Sequence, residues 1–102
     1  MVAMDNGIDY INYKFNEDKL LQEFKEYINK TYVQHYAGGK FQINEVLIDQ
    51  GVGLEFFLGN VQKYASRYGI KGEMSDHRKD ILKVLHYAIL ALYDHDKRQE
   101  SN

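Results

Sequence analysis

Apolar side chains recur along most of this chain at helical rather than strand spacing, and four segments follow from that rhythm. Leu20, Leu21, Phe24, Ile28 and Tyr32 predict a first helix. Asn16 is a good N-cap for it, and Glu17 and Asp18 place negative charge in its first turn. The helix is expected to fade around Tyr32, and the segment His35–Lys40 (HYAGGK) to form a loop, because Gly38 and Gly39 are costly in a helix. Ile43, Val46 and Leu47 share a face of a short second helix, about Gln42–Gln50, which Gly51 should end. A third helix is predicted over about Leu54–Tyr68, closed by Gly69, and a charged connector over Ile70–Met74. Ser75 or Asp76 should cap the last helix, which runs to about Lys97 with Ile81, Leu85, Ala88 and Leu92 as its apolar stripe, widened by Leu82 and Ile89. Residues 1–15 alternate Tyr10, Asn12 and Lys14 with Ile11, Tyr13 and Phe15, the period of an extended arm. The expected fold is mainly α, a small bundle of about four helices with an extended N-terminal arm, in a single domain over residues 1–102.

Composition narrows the classes of function. Apolar residues are 44% and charged residues 27%, the balance of a folded domain rather than a disordered one. There is no cysteine, which removes disulfides, thiolate metal sites and a cysteine nucleophile. No apolar run approaches the roughly 20 residues of a membrane span, and the N-terminus lacks the layout of a signal peptide, so no membrane partner is expected. A net charge of -2 argues against binding long nucleic acid through its backbone. Nine tyrosines and no tryptophan supply rings with polar tips, suited to interfaces and to nucleobase pockets.

The third helix carries the chemistry. At about 100° per residue, Leu54, Phe57, Leu58, Val61, Ala65 and Tyr68 fall on one arc, the expected core face. Phe56, Asn60, Lys63, Tyr64 and Arg67 fall on the other. Lys63 and Arg67 are four apart and reach the same space, with Lys71 just beyond the helix end. Cations for phosphate, rings for a base and an amide for a base edge together suit an anionic aromatic ligand. The plainer alternative is a solvated face whose cations pair with acids of another helix. Other motifs fail. Gly38-Gly39-Lys40 lacks the spacing of a phosphate loop, and Gly51-Val52-Gly53 does not continue as a dinucleotide fingerprint. His35, His77, His86 and His95 lack metal-ligand spacing, and no catalytic residue, metal or cofactor is assigned. Glu45 is the best placed carboxylate to face the basic stripe, although a surface glutamate reads the same way.

Three stretches, HYAGGKFQINEVLID, FFLGNVQKYASRYGIKG and DHRKDILKVLHYAILALYDHD, together resemble a small phage-encoded domain family labelled as of unknown function, some of whose members are described as nucleotide kinases. The resemblance runs from residue 35 to about 96. It rests on His35, Tyr36, Glu45, Gly59, Asn60, Lys63, Tyr64, Arg67, Lys71, Asp80, Lys83 and Tyr87. Kinases of this kind carry an extra N-terminal region with no counterpart here, which weighs against catalysis. The resemblance implies a nucleotide site drawn from Lys63, Arg67, Asn60, Tyr64, Lys71, Tyr36, His35, Glu45 and Phe56. Lys63, Arg67 and Lys71 would hold phosphates. Tyr64, Tyr36 or Phe56 would stack on bases. Asn60 and Glu45 would read base edges or orient the cations.

Three readings follow. The first is a phage protein in the cytoplasm of the infected host that sequesters a cyclic-oligonucleotide immune signal, a cyclic dinucleotide above all, without cleaving it. Nanomolar retention corresponds to about 12 kcal/mol, more than one exposed stripe should supply, so a site shared within a homo-oligomer (dimer or tetramer) is expected. The second is a nucleoside monophosphate kinase using the same cations on a transferred phosphoryl group. The third is an oligomeric protein-interaction module.

Overall fold

The structure is a computed structural model that describes residues 11–37 and 41–101, with side chains omitted for residues 35–37, 41, 42 and 101. It contains four helices, α1 (Glu17–Ala37), α2 (Phe41–Asp49), α3 (Gly53–Arg67) and α4 (Met74–Ser101), and no strand among the described residues. The mainly α expectation therefore holds. Most of the arm, residues 1–10, lies outside the described residues, as do Gly38, Gly39 and Lys40. Residues 11–15 are non-helical and exposed.

Local chemistry fixes the boundaries. Asn16 takes a positive φ of 63° and its carbonyl accepts the first helical bond of α1, from Leu20 N–H at 2.9 Å. This helix runs to Ala37, five residues past the predicted fade at Tyr32, because nothing between Val33 and Ala37 breaks it. After α2, Gly51 adopts φ 81°, with Gly51 N–H bonding Ile48 O and Val52 N–H bonding Leu47 O, both at 3.0 Å. That paired closure is the Schellman motif, and it needs the left-handed residue that glycine supplies. α4 starts earlier than predicted. Glu73 stands at the cap, its N–H donating to Asp76 Oδ2 at 3.0 Å, so Asp76 is the returning half of a capping box and not the cap itself.

α3 and α4 form an antiparallel hairpin. At one end Arg67 faces Asp80 at 3.6 Å; at the other Arg98 reaches Glu55 at 2.9 Å, the Gly51 carbonyl at 2.8 Å and Asp94 at 3.4 Å. Between them Phe57, fully buried, and Ala91 fill the seam. The inward line of α3 is Gly53, Phe57, Asn60, Tyr64 and Arg67; that of α4 is Asp80, Val84, Tyr87, Ala91 and Asp94. Both follow the alternating three- and four-residue steps of a coiled-coil seam. This corrects the expected packing. Leu58, Ala65 and Tyr68 of α3 and the α4 stripe Ile81, Leu85, Ala88, Ile89 and Leu92 are exposed. Periodicity selects the most apolar face, whereas the hairpin buries the neighbouring line, whose carboxylates are matched by arginines at both ends.

α1 lies along α4. Phe24 and Tyr27 meet His86 edge-on at 6.4 and 5.9 Å, and Arg78 forks onto Glu23. Phe24 is buried, and the buried Thr31 hydroxyl is satisfied by donating to Ile28 O at 2.7 Å. This arrangement leaves open grooves between α1, α2 and the hairpin.

Candidate functional site

Tyr64 is the centre of the basic cluster. Its ring stacks on Tyr87 of α4 with centroids 5.9 Å apart and planes 7° from parallel. Three cations approach the same ring: Lys83 Nζ at 4.9 Å, Lys63 Nζ at 5.2 Å and the Arg67 guanidinium at 5.7 Å from the centroid. An electron-rich ring offsets part of their mutual repulsion. Asp80 is 3% exposed and faces Arg67, so one cation is braced from inside the hairpin while its side chain stays 39% exposed. Arg67 Nε and Asp80 Oδ2 have no hydrogen-bond partner among the described residues. With one carboxylate against three cations, the cluster keeps two positive charges.

A groove of about 590 Å³ opens beside it. Lys83 and Tyr64 line this groove and also belong to the cluster, so the two are continuous. Phe56 and Tyr87 meet edge-on at 6.5 Å on one side, and Tyr27 stands on the other. Burial pushes the phenol pKa values of Tyr27 and Tyr87 above the ordinary 10.0, with the nearby Tyr64 adding to both. Both hydroxyls therefore stay protonated and can donate. A second groove, of about 560 Å³, runs along α1, α2 and the later part of α4.

The predicted site residues separate under this geometry. Lys63, Tyr64 and Arg67 come together, and Phe56 lines the adjoining groove. Asn60 lies on the same line of α3, and its amide donates to Phe56 O at 3.0 Å, leaving the side-chain oxygen for other partners. Glu45 lines the second groove instead, with Ile28, Ile89 and Tyr93. Lys71 is exposed on the connector after α3. The side chains of His35 and Tyr36 lie outside those described. Arg67 also realises the plainer alternative weighed above, since it pairs with an acid of another helix.

Lys83, Tyr87 and Asp80 are the members of the cluster that helix-by-helix reading does not assign. Their signal was present: Asp80, Lys83 and Tyr87 repeat the spacing of Asn60, Lys63 and Arg67, a polar line entering the apolar middle of α4. Among the described residues no three His, Asp or Glu side chains gather as a metal site, and no helix is long and apolar enough to cross a membrane.

Fold and site together define a class: a small helical domain whose central hairpin carries a basic-aromatic cluster beside an open groove. The chain belongs to the family described as a protein of unknown function, DUF3310, whose pattern matches residues 28–89, more than half of its length. The match takes in α2, α3 and most of α4, and so the whole cluster. No curated protein and no solved structure shows significant similarity to the chain.

Proposed function

We propose that this chain binds a nucleotide through its phosphates, and that it is a phage-encoded protein holding a cyclic-oligonucleotide immune signal of the host intact. The observation that carries the reading is the convergence of Lys63, Arg67 and Lys83 on Tyr64 beside an aromatic groove. Charge-assisted bonds to phosphate supply strength, and Arg67, braced by Asp80, is preset for a bidentate contact. The groove is open in a single chain, so tight retention calls for a second copy to close it, in a homo-oligomer whose two-fold axis matches that of a cyclic dinucleotide.

A nucleoside monophosphate kinase is the second reading, and a specific feature favours it. Its nucleophile is a phosphate oxygen already ionised at neutral pH, so this chain would need no general base. Cations that position two phosphates and offset charge on the transferred group do most of the work in such transfers. The cluster offers them from two helices.

Ligand fate separates the two. The purified chain is incubated with cyclic di- and trinucleotides, and separately with ATP and each monophosphate. Free nucleotide is filtered off, the protein is heat-denatured, and both fractions are chromatographed. Sequestration predicts a cyclic nucleotide missing from the filtrate and released intact by heat. New diphosphate formed with turnover overturns sequestration in favour of the kinase.

A further inference from the structure

The two grooves are nearly equal in volume but opposite in character. The second is lined by Glu45 and Asp49 as well as Lys97. The first has Lys83 and no acid among its described lining residues. A phosphate-bearing ligand is repelled by one and drawn to the other. The first also falls within the size range of small-molecule sites, roughly 300–1,000 Å³, and has the usual makeup of apolar walls with a few polar groups.

We infer that this groove, between α1, α2 and the α3–α4 hairpin, holds the nucleobase of a ligand whose phosphate lies on Lys63, Arg67 and Lys83, with Asn44 reading the base edge. This rests on the nucleotide reading above. Phe56, Tyr27 and Tyr87 come from three different helices and give the groove aromatic walls. Tyr64 cannot serve as a free stacking platform, because Tyr87 stacks on it and the cations crowd it. Stacking therefore passes to Phe56 and Tyr27, and Tyr64 braces the phosphate side. Asn44 is half-buried where the two grooves adjoin, since it lines both, and its amide makes no hydrogen bond to any described residue. A side-chain amide presents one donor side and one acceptor, the pairing that a base edge needs. Gln34 stands exposed at the rim with the same chemistry. The protonated Tyr27 and Tyr87 phenols add donors without adding negative charge.

One such base groove per chain means one base per chain. A monophosphate binds at one per chain, and a cyclic dinucleotide at one per two chains. Calorimetric titration of the full chain with inorganic pyrophosphate, the nucleoside 5′-monophosphates and a cyclic dinucleotide tests this, with circular dichroism to confirm that each variant folds. At least one monophosphate should bind about tenfold or more tightly than pyrophosphate. Asn44→Ala and Phe56→Leu should each weaken that monophosphate about fivefold or more while pyrophosphate affinity stays the same. Lys83→Ala should weaken both probes. If every monophosphate binds no better than pyrophosphate, or neither groove variant changes the preference, the groove assignment falls and the phosphate cluster stands. If neither pyrophosphate nor any nucleotide binds, the nucleotide reading falls and this inference with it.

Discussion

The carboxylate of Asp80 is 4% exposed while the Arg67 side chain facing it is 39% exposed, so the two halves of the pair stand in different solvents. Arg67→Ala would leave a buried anion without its cation, at a cost of about 1–3 kcal/mol. Asp80→Asn keeps the shape and leaves a guanidinium that already reaches water, so about 1 kcal/mol or less is expected. Urea denaturation of the two variants measures the difference, and equal losses would contradict it. The asymmetry also bears on ligand binding. Arg67→Ala should abolish nucleotide binding, but the loss is free of the stranded anion only when Asp80→Asn is the background. The phenols give a second expectation. Tyr27 and Tyr87 have folded-state pKa values raised by burial, so their contribution to stability is complete below the ordinary 10.0 and is lost as pH rises through the raised values. Thermal melts should show a steeper alkaline decline for the parent chain than for a Tyr27→Phe, Tyr87→Phe double variant.

At the level of the helices, two glycines of α3 should respond oppositely to alanine. A methyl at Gly53 would lie 3.0 Å from both Asp94 Oδ2 and Ile48 Cγ1 and 3.2 Å from Ile48 Cα, at the crowded junction of α2, α3 and α4. Gly53→Ala should cost about 1–3 kcal/mol by overpacking. Gly59 lies inside α3 with no described atom within 4 Å of an added methyl, so Gly59→Ala should stabilise by roughly 0.5–1 kcal/mol. Paired thermal melts check both signs. The same helices show what a sequence can disclose. Gly51 and Gly69, both at positive φ, mark their helix ends legibly because few other residues accept that backbone. The start of α4 is less legible because Asp76 acts backwards, on the N–H of Glu73, and a string of residues does not show which of two polar groups is the cap. The cluster was half legible. Lys63, Tyr64 and Arg67 share one helix, so their spacing reveals them. Lys83 and Asp80 join only through the pairing of α3 with α4, a contact between helices that no single-helix period encodes. That Glu45 lines the second groove is hidden from the sequence for the same reason: the rotation of α2 about its axis is set by its packing.

Across the whole molecule, the most apolar surface of α4 is the one left open. Ile81, Leu85, Ile89 and Leu92 form a stripe at helical spacing and are 44–59% exposed. Among the described residues the buried apolar side chains are Phe24, Phe57 and Ala91, a slender core for 102 residues. Stray exposed leucines are ordinary, but a continuous stripe of them along a long helix is the mark of an association surface. The expected state is therefore a homo-oligomer in which α4 packs on a second copy. Each stripe residue covered would add roughly half of the 1.5–3 kcal/mol that complete burial of such a side chain contributes, so several residues from each of two chains together reach the order of the association cost. Sedimentation equilibrium should give a multiple of 12.0 kDa, and the melting temperature should rise with protein concentration, as mass action requires. Leu85→Glu, at the middle of the stripe, should shift the mass to a single chain and lower the melting temperature. It lies on the opposite side of α4 from the inward line that carries Tyr87 and Asp80, so pyrophosphate should still bind the variant. A parent chain that sediments at 12.0 kDa at every concentration would leave the stripe without a partner copy and would remove the shared site on which sequestration depends.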